Sequence, residues 1–293
     1  MGSHASPKGG TCIIGFDSAW TDNEKSPGAI CAVAVCDDGE IRFTAPRLAT
    51  FGQALDFIQE ERRSFGTCLV AIDQPTIVPN KTGCRPVERV AGSLISYIGG
   101  GVQPANRSKT EMFGDAAPIW GFLNALQAQQ VPELGRTARD GVHVIEVFPA
   151  LAIPAIEPTF YGRLKGPKYN PERRKTFQHE DWNAVLEAVA RFARECHLEC
   201  IVSWSEAMKY ETRDRKPIKR DQDCLDAIIC ALIANHWRHQ PREASIVIGD
   251  LSSGYMVSPV TTATRVRLER AGALRGVPVD GIVRMTPHPV QGC

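Results

Sequence analysis

Four acidic residues, Asp17, Asp73, Glu146 and Asp226, stand where core residues or strand ends are expected, and a fifth, Asp223, lies just before the last of them. Asp17 closes the apolar run 11–16, Asp73 closes 68–72, and Glu146 sits within 142–148. Asp226 heads a helical stripe that continues through Ile229, Cys230, Ile233 and Trp237. Carboxylates gathered in one place repel one another, and a hard divalent cation relieves that repulsion. Ligation by oxygen alone suits Mg²⁺ or Mn²⁺. Two such ions about 3.5–4 Å apart can activate a water and stabilise the leaving oxygen of a phosphoryl transfer. Asp17, Asp73, Glu146 and Asp226 are therefore the catalytic candidates, and the same four with Asp223 are the candidate metal ligands, for hydrolysis of a phosphodiester.

Each acid also has a plainer reading. Asp17 or Asp73 can cap the turn that leaves its strand. Glu146 can face solvent from an edge strand. Asp223 falls in the first turn of a helix, where a carboxylate suits the helix dipole without any further role. Asp226 is harder to explain away, because a carboxylate entering a core is costly unless it is paired or bound to metal.

The elements that must position these acids follow from periodicity. Residues 11–16 and 29–36 read as strands. Asp38-Gly39 is a hairpin signal, and 41–44 pairs back as a third strand. Residues 50–63 change to helical spacing through Phe51, Leu55 and Ile58. Residues 68–72 are a fourth strand stopped by Pro75, and 142–147 a fifth. Helices are expected over 85–98, opened by Pro86, over 118–129, and over 179–197, with another starting at Asp221. Residues 102–115 and the basic 164–175 read as loops, the latter exposed. Residues 245–248 and 255–260 suggest a last hairpin, and 261–293 has weak patterning with no element assigned. A crossover from the three-strand meander can lay the fourth strand parallel to the first. Asp17 and Asp73 would then share the carboxyl edge of the sheet, where ligands of such sheets bind.

Basic residues border the acids. Arg85 and Arg89 follow Asp73, while Lys165 and Lys168 follow Glu146, and a run containing Lys216 and Lys219 precedes Asp223. These six are the candidate substrate contacts and could frame a phosphate path for a nucleic acid. The alternative is that they are solvated loop residues.

Composition bounds the rest. The chain has 293 residues and a net charge of +1, so any nucleic-acid contact must use a local patch. Ten cysteines, several inside apolar runs, fit free thiols in a reducing, cytoplasmic setting. Their spacing, with no Cys-x-x-Cys, does not argue for zinc. The polar residues 1–10 lack the apolar stretch of a signal peptide, and no run of about 18 apolar residues suggests a membrane span.

Five blocks carry a resemblance: Gly15-Phe-Asp-Ser-Ala-Trp20, Ala71-Ile-Asp-Gln-Pro75, Arg85-Pro-Val-Glu-Arg89, Glu146-Val-Phe-Pro149 and Asp223-Cys-Leu-Asp-Ala227. Together with Gly254-Tyr-Met-Val-Ser-Pro259 they resemble, in order, the blocks of the DUF429 family, regarded as predicted nucleases of ribonuclease-H-like fold. Asp-x-x-Asp-Ala is also similar to the helix-borne acidic motif of Holliday-junction resolvases. The family resemblance implies metal-binding roles for Asp17, Asp73 and Asp226, with Glu146 and Asp223 beside them. Gln74 and Thr76 depart from the pattern, which has small or apolar neighbours around the proline. The implied fold is α/β: a ribonuclease-H-like three-layer domain over 11–260, with a mixed five-stranded central sheet flanked by helices, extra helices and a C-terminal hairpin, followed by an extension over 261–293.

Two rival classes share that scaffold. An ATP-using phosphotransferase of the actin and sugar-kinase type needs two such domains and a second glycine-rich phosphate loop, which this chain lacks. Gly99–Gly101 ahead of Lys109-Thr110 fails the phosphate-loop pattern. A non-catalytic nucleic-acid or nucleotide-binding module is the other, since fold alone does not establish activity. A serine hydrolase is disfavoured by the lack of Gly-x-Ser-x-Gly.

Overall fold

The computed structural model describes residues 8–282. In chain order the elements are β1 (Lys8–Asp17), β2 (Gly28–Cys36), β3 (Ile41–Ala49), α1 (Phe51–Arg62), β4 (Phe65–Ile72), α2 (Pro86–Tyr97), α3 (Thr110–Phe113), α4 (Pro118–Leu126), α5 (Pro132–Thr137), β5 (Gly141–Glu146), α6 (Pro149–Ile156), α7 (His179–Glu195), α8 (Glu199–Glu211), α9 (Lys219–His239), β6 (Ser245–Asp250), β7 (Gly254–Pro259) and α10 (Thr262–Arg275).

The central sheet runs β3-β2-β1-β4-β5. The first three strands form an antiparallel meander, and β4 returns through α1 to lie parallel to β1 with Phe16 opposite Ile72. β5 continues in parallel, placing Glu146 opposite Ile72. β2 is buried along nearly its whole length, as expected of a strand covered on both faces, whereas edge strand β3 alternates with exposed positions.

The period of two along a strand sorts the core into two halves. Ile13, Cys31, Val33, Leu69, Ala71 and Ile145 face α9 and α7. Cys12, Ile14, Phe16, Cys68, Val70 and Val144 face α1 and α4 through Phe51, Phe57, Ile119 and Phe122. This is the ribonuclease-H-like three-layer architecture. The hairpin of β6 and β7 is a separate two-stranded sheet that packs with α2 and α10 in a third cluster.

The close seat of α9 on β1 depends on one glycine. A Cβ on Gly15 would lie 2.0 Å from the carbonyl oxygen of Ala227 and 2.5 Å from the amide nitrogen of Ala231. Only a residue without a side chain allows that approach, and α9 is the helix that carries Asp223 and Asp226.

Several elements differ from the sequence expectations. α8 and α10 form where periodicity offered no assignment. Thr261 caps α10, accepting the Thr264 N–H at 3.2 Å, and Gly276 ends it at φ 63°. Within the expected loop 102–115, the single turn α3 buries Phe113. Helix α4 stops at Leu126 rather than 129, because Gln127 turns left-handed and Gln129 bridges to His143. The 164–175 segment is a loop but not a wholly exposed one: Gly166, Tyr169 and Pro171 are buried. Of the expected extension 261–293, the residues from 283 onward lie outside the described part, as does most of the polar 1–10 segment. Among the described residues, no helix is long and apolar enough to cross a membrane.

Candidate metal centre

Parity and register together build the centre. Asp17 continues the Ile13, Gly15 side of β1, and Asp73 continues the Leu69, Ala71 side of β4, so both emerge toward α9. Phe16 and Asp73 are joined directly, the Asp73 N–H donating to the Phe16 carbonyl at 2.9 Å. The indole N–H of Trp20 donates to the Asp73 carbonyl at 3.0 Å and fixes the turn. α9 then delivers Asp226 to the pair, with Asp223 one turn earlier.

The charges there are poorly balanced. Burial, then the charges of Asp226 and Asp73, push the Asp17 carboxyl well above the usual carboxylate range. Burial, then Asp226 and Glu146, do the same to Asp73. Burial lifts Asp226 to about 6 against the opposing hydrogen bonds from Gln222 and Tyr169. Those bonds are well formed. The Tyr169 hydroxyl donates to Asp226 Oδ1 and the Gln222 amide to Oδ2, each at 2.9 Å. Asp223 is raised by burial too, though it pairs with Lys219 and lies within hydrogen-bond reach of Asp17. Lys219 lowers all three principal acids, but its side chain is 44% exposed, so solvent screens much of that help.

The donor chemistry fits a hard divalent cation: carboxylate oxygens, no sulfur or imidazole, and excess negative charge. The spacing is loose. No three of these carboxylates have oxygens mutually within 4.8 Å, so they must draw together to share one ion. The group of described residues that meets that distance is Cys36, Asp38 and Glu40 at the β2–β3 turn. There Asp38 accepts the Glu40 N–H at 3.0 Å and Glu40 pairs with Arg42, which is ordinary turn chemistry.

Beside the aspartates opens a cavity of about 220 Å³. Asp73, Asp226 and Gln222 form its acidic end. Ile95, Ile98, Phe148 and Ile153 form an apolar wall, and Lys168 and Arg173 stand at the rim.

The remaining expected site residues separate. Glu146 is the partner of Ile72, on the opposite parity from Asp17 and Asp73. Arg85 holds it from two sides, at 2.6 Å and 3.0 Å, and the Thr76 N–H donates to it at 2.9 Å. Both its oxygens are engaged, so the expected metal ligation gives way to a structural ion pair. Arg85 likewise is a structural partner rather than a substrate contact. Expected at a phosphate, it is fully buried, its Nε donates to Glu88 at 2.8 Å, and Nη1, one of the two nitrogens on Glu146, also donates to the Ile77 carbonyl at 3.0 Å. A carboxylate enclosed as Glu146 is requires such a cation. Arg89 and Lys165 are exposed and do not line the cavity. Lys168 lines it and donates to the Gly99 carbonyl at 2.8 Å. Lys216 lies over the Phe177 ring at 5.0 Å, and Lys219 is paired with Asp223.

Tyr169 and Gln222 escaped the sequence reading. Gln222 stands four residues before Asp226, a spacing that makes helical neighbours, so its contact was available in principle. Tyr169 reaches across 57 residues from an irregular loop, and nothing local announces it.

A family model matches residues 15–247, that of DUF429, described as a protein of unknown function. Comparison with curated proteins and comparison with solved structures each found no significant match.

Proposed function

The chain belongs to the DUF429 family, whose description names no activity, and we propose from its own geometry that it is a divalent-metal-dependent nuclease working at Asp17, Asp73 and Asp226. The observation that carries this reading is the convergence of three carboxylates, all with raised pKa, at the carboxyl ends of two parallel strands and on a buried helix face. Perturbed acids at a cleft are characteristic of working sites.

Asp17, Asp73 and Asp226 would hold Mg²⁺ or Mn²⁺, with Asp223 beside them. When bound, the ion supplies a positive charge that polarises a phosphoryl oxygen and eases deprotonation of water. Tyr169 and Gln222 each hold one oxygen of Asp226, which fixes the plane of that carboxylate and leaves further lone pairs on both atoms. Glu146 supports the centre from behind: through the Thr76 N–H and, by way of Arg85, the Ile77 carbonyl, it pins the loop that follows Asp73. Lys168 and Arg173 offer cations to a phosphate at the rim, and the apolar wall limits water on that side. Nucleic acid is the partner this reading implies.

The test is metal-dependent cleavage of single-stranded and branched oligonucleotides. Asp226→Asn should abolish it, and Asp223→Asn, which loses a residue already paired with Lys219, should reduce it less. Equal rates for Asp226→Asn and wild type overturn the reading.

A further inference from the structure

A second cavity, of about 430 Å³, is lined by arginines and an aromatic ring rather than by acids. Ser93 of α2, Tyr161 from the loop after α6, and Arg267, Arg270 and Arg275 of α10 surround it. It is joined to the acidic cavity by two shared segments. α2 runs from Ser93 at the arginine cavity to Ile95 at the acidic one, and the chain continues there through Ile98 and Gly99. The 161–168 loop travels the same way, from Tyr161 at the first to Gly166 and Lys168 at the second. Backbone bonds lock these segments side by side: the Leu164 N–H donates to the Tyr97 carbonyl at 2.8 Å, and the Gly166 N–H to the Ile98 carbonyl at 2.7 Å.

The chemistry along that join is specific. The Tyr97 and Tyr161 rings lie 5.6 Å apart, and the Arg267 guanidinium sits 3.7 Å from the centre of Tyr97. Arg163 and Lys165 are exposed on the connecting loop, and Arg270 and Arg275 on α10. Two apolar side chains accompany them, Val266 at 59% exposure and Leu274 at 61%. Arginines interleaved with aromatic and apolar surface match a nucleic-acid strand whose bases are uncovered: phosphates meet the guanidinium groups while base faces lie on the rings. A duplex hides those faces and would leave the apolar side chains without partners.

We propose that the α2–α10 groove binds single-stranded nucleic acid, as the continuation of the strand whose phosphodiester lies at the aspartates. The proposal rests on the nuclease reading for the direction of that strand and adds the substrate class to it. The lining of this cavity carries three arginines and no acid, on a chain whose net charge is only +1.

Fluorescence anisotropy of a labelled oligothymidylate, with the full-length protein in chelator, reads binding without chemistry. Arg270→Glu/Arg275→Glu should weaken binding by about tenfold or more and lower the salt slope by about 1.4, two contacts at about 0.7 each on a single strand. Tyr161→Ala, a second and uncharged variant, should weaken binding with little change in slope. The matching duplex should bind less well than the strand. Double-variant binding equal to wild type, tighter duplex binding, or a wild type that binds no strand overturns the proposal. So does a wild-type dimer, seen by sedimentation, that the double variant breaks while strand binding is unaltered, since the face would then join two copies of the chain. Failure of the nuclease reading appears elsewhere: wild type that binds strand through these arginines, yet cleaves none with any divalent metal, retains the groove and loses the enzyme.

Discussion

Two groups of acids stand at adjacent strand ends of one sheet and are treated in opposite ways. Glu146, at the end of β5, is joined with Glu88 to Arg85, and every oxygen of the two carboxylates accepts a hydrogen bond between 2.6 Å and 3.1 Å. Asp73, at the end of β4, looks instead toward Asp17 and Asp226, with a half-exposed lysine as the nearby cation. Burial raises the pKa of Glu146 and of Asp73. At Glu146 a buried guanidinium opposes that rise; at Asp73 like charges push it further. The first group holds a loop in place. The second retains a charge imbalance that binding a proton can relieve, as the raised pKa values record, and that a bound cation would relieve as well.

The largest effect should come from breaking the matched group. Arg85→Met leaves two buried carboxylates without their cation, and losing one partner of a buried pair costs about 3–5 kcal/mol. Replacing Arg85 and Glu146 together by apolar residues of similar volume should cost clearly less. Urea denaturation of both variants checks this, and equal losses would show that the pairing itself contributes nothing.

Gly15→Ala should come next. Its methyl meets backbone of α9 rather than a flexible side chain, so the helix must move, at a cost of about 1–3 kcal/mol. Because Asp226 moves with α9, metal affinity should fall with stability. A variant that loses stability and binds metal as wild type would separate the seat of the helix from the site.

Asp17→Asn should reverse the sign, because it removes one of the repelling charges. In chelator near neutral pH it should be more stable than wild type by about 0.5–2 kcal/mol while being inactive. Mg²⁺ should stabilise wild type by about 2.7 kcal/mol at a hundredfold excess over Kd, and the variant less. If Asp17 only caps a turn, the variant melts lower and Mg²⁺ has no effect. The pH dependence carries the same sign. A carboxyl raised on folding holds a proton that the unfolded chain releases near pH 4, so metal-free stability should decline as pH rises from about 4 through 6. Asp226 alone, moved from 3.8 to about 6, contributes about 3 kcal/mol at most to that decline. Calorimetric melts in chelator between pH 4 and pH 8 read it.

The contrast between the two groups was only half legible in the sequence. Asp17 and Asp73 announce themselves because each ends an apolar run, and Asp226 because it begins the stripe of a buried helix. The role of Glu146 was not legible, because it is decided by Arg85, 61 residues away, and no local pattern records that pairing. A basic residue after a strand-end acid reads as a substrate contact until its burial is known. The meander and the place of β4 beside β1 followed from strand signals and one crossover, whereas no local signal placed β5. α8 and α10 did not, since their exposed faces carry enough apolar residues, Val266 and Leu274 in α10, to blur the helical period. The groove inferred beside α10 was hidden for the same reason.

If the unmatched aspartates hold a divalent cation, isothermal titration with Mn²⁺ reads that binding as heat. Wild type should bind, and Asp73→Asn, which keeps the shape of the side chain and removes its charge, should bind far more weakly. No heat of binding at millimolar Mn²⁺, or a variant that titrates like wild type, would contradict it.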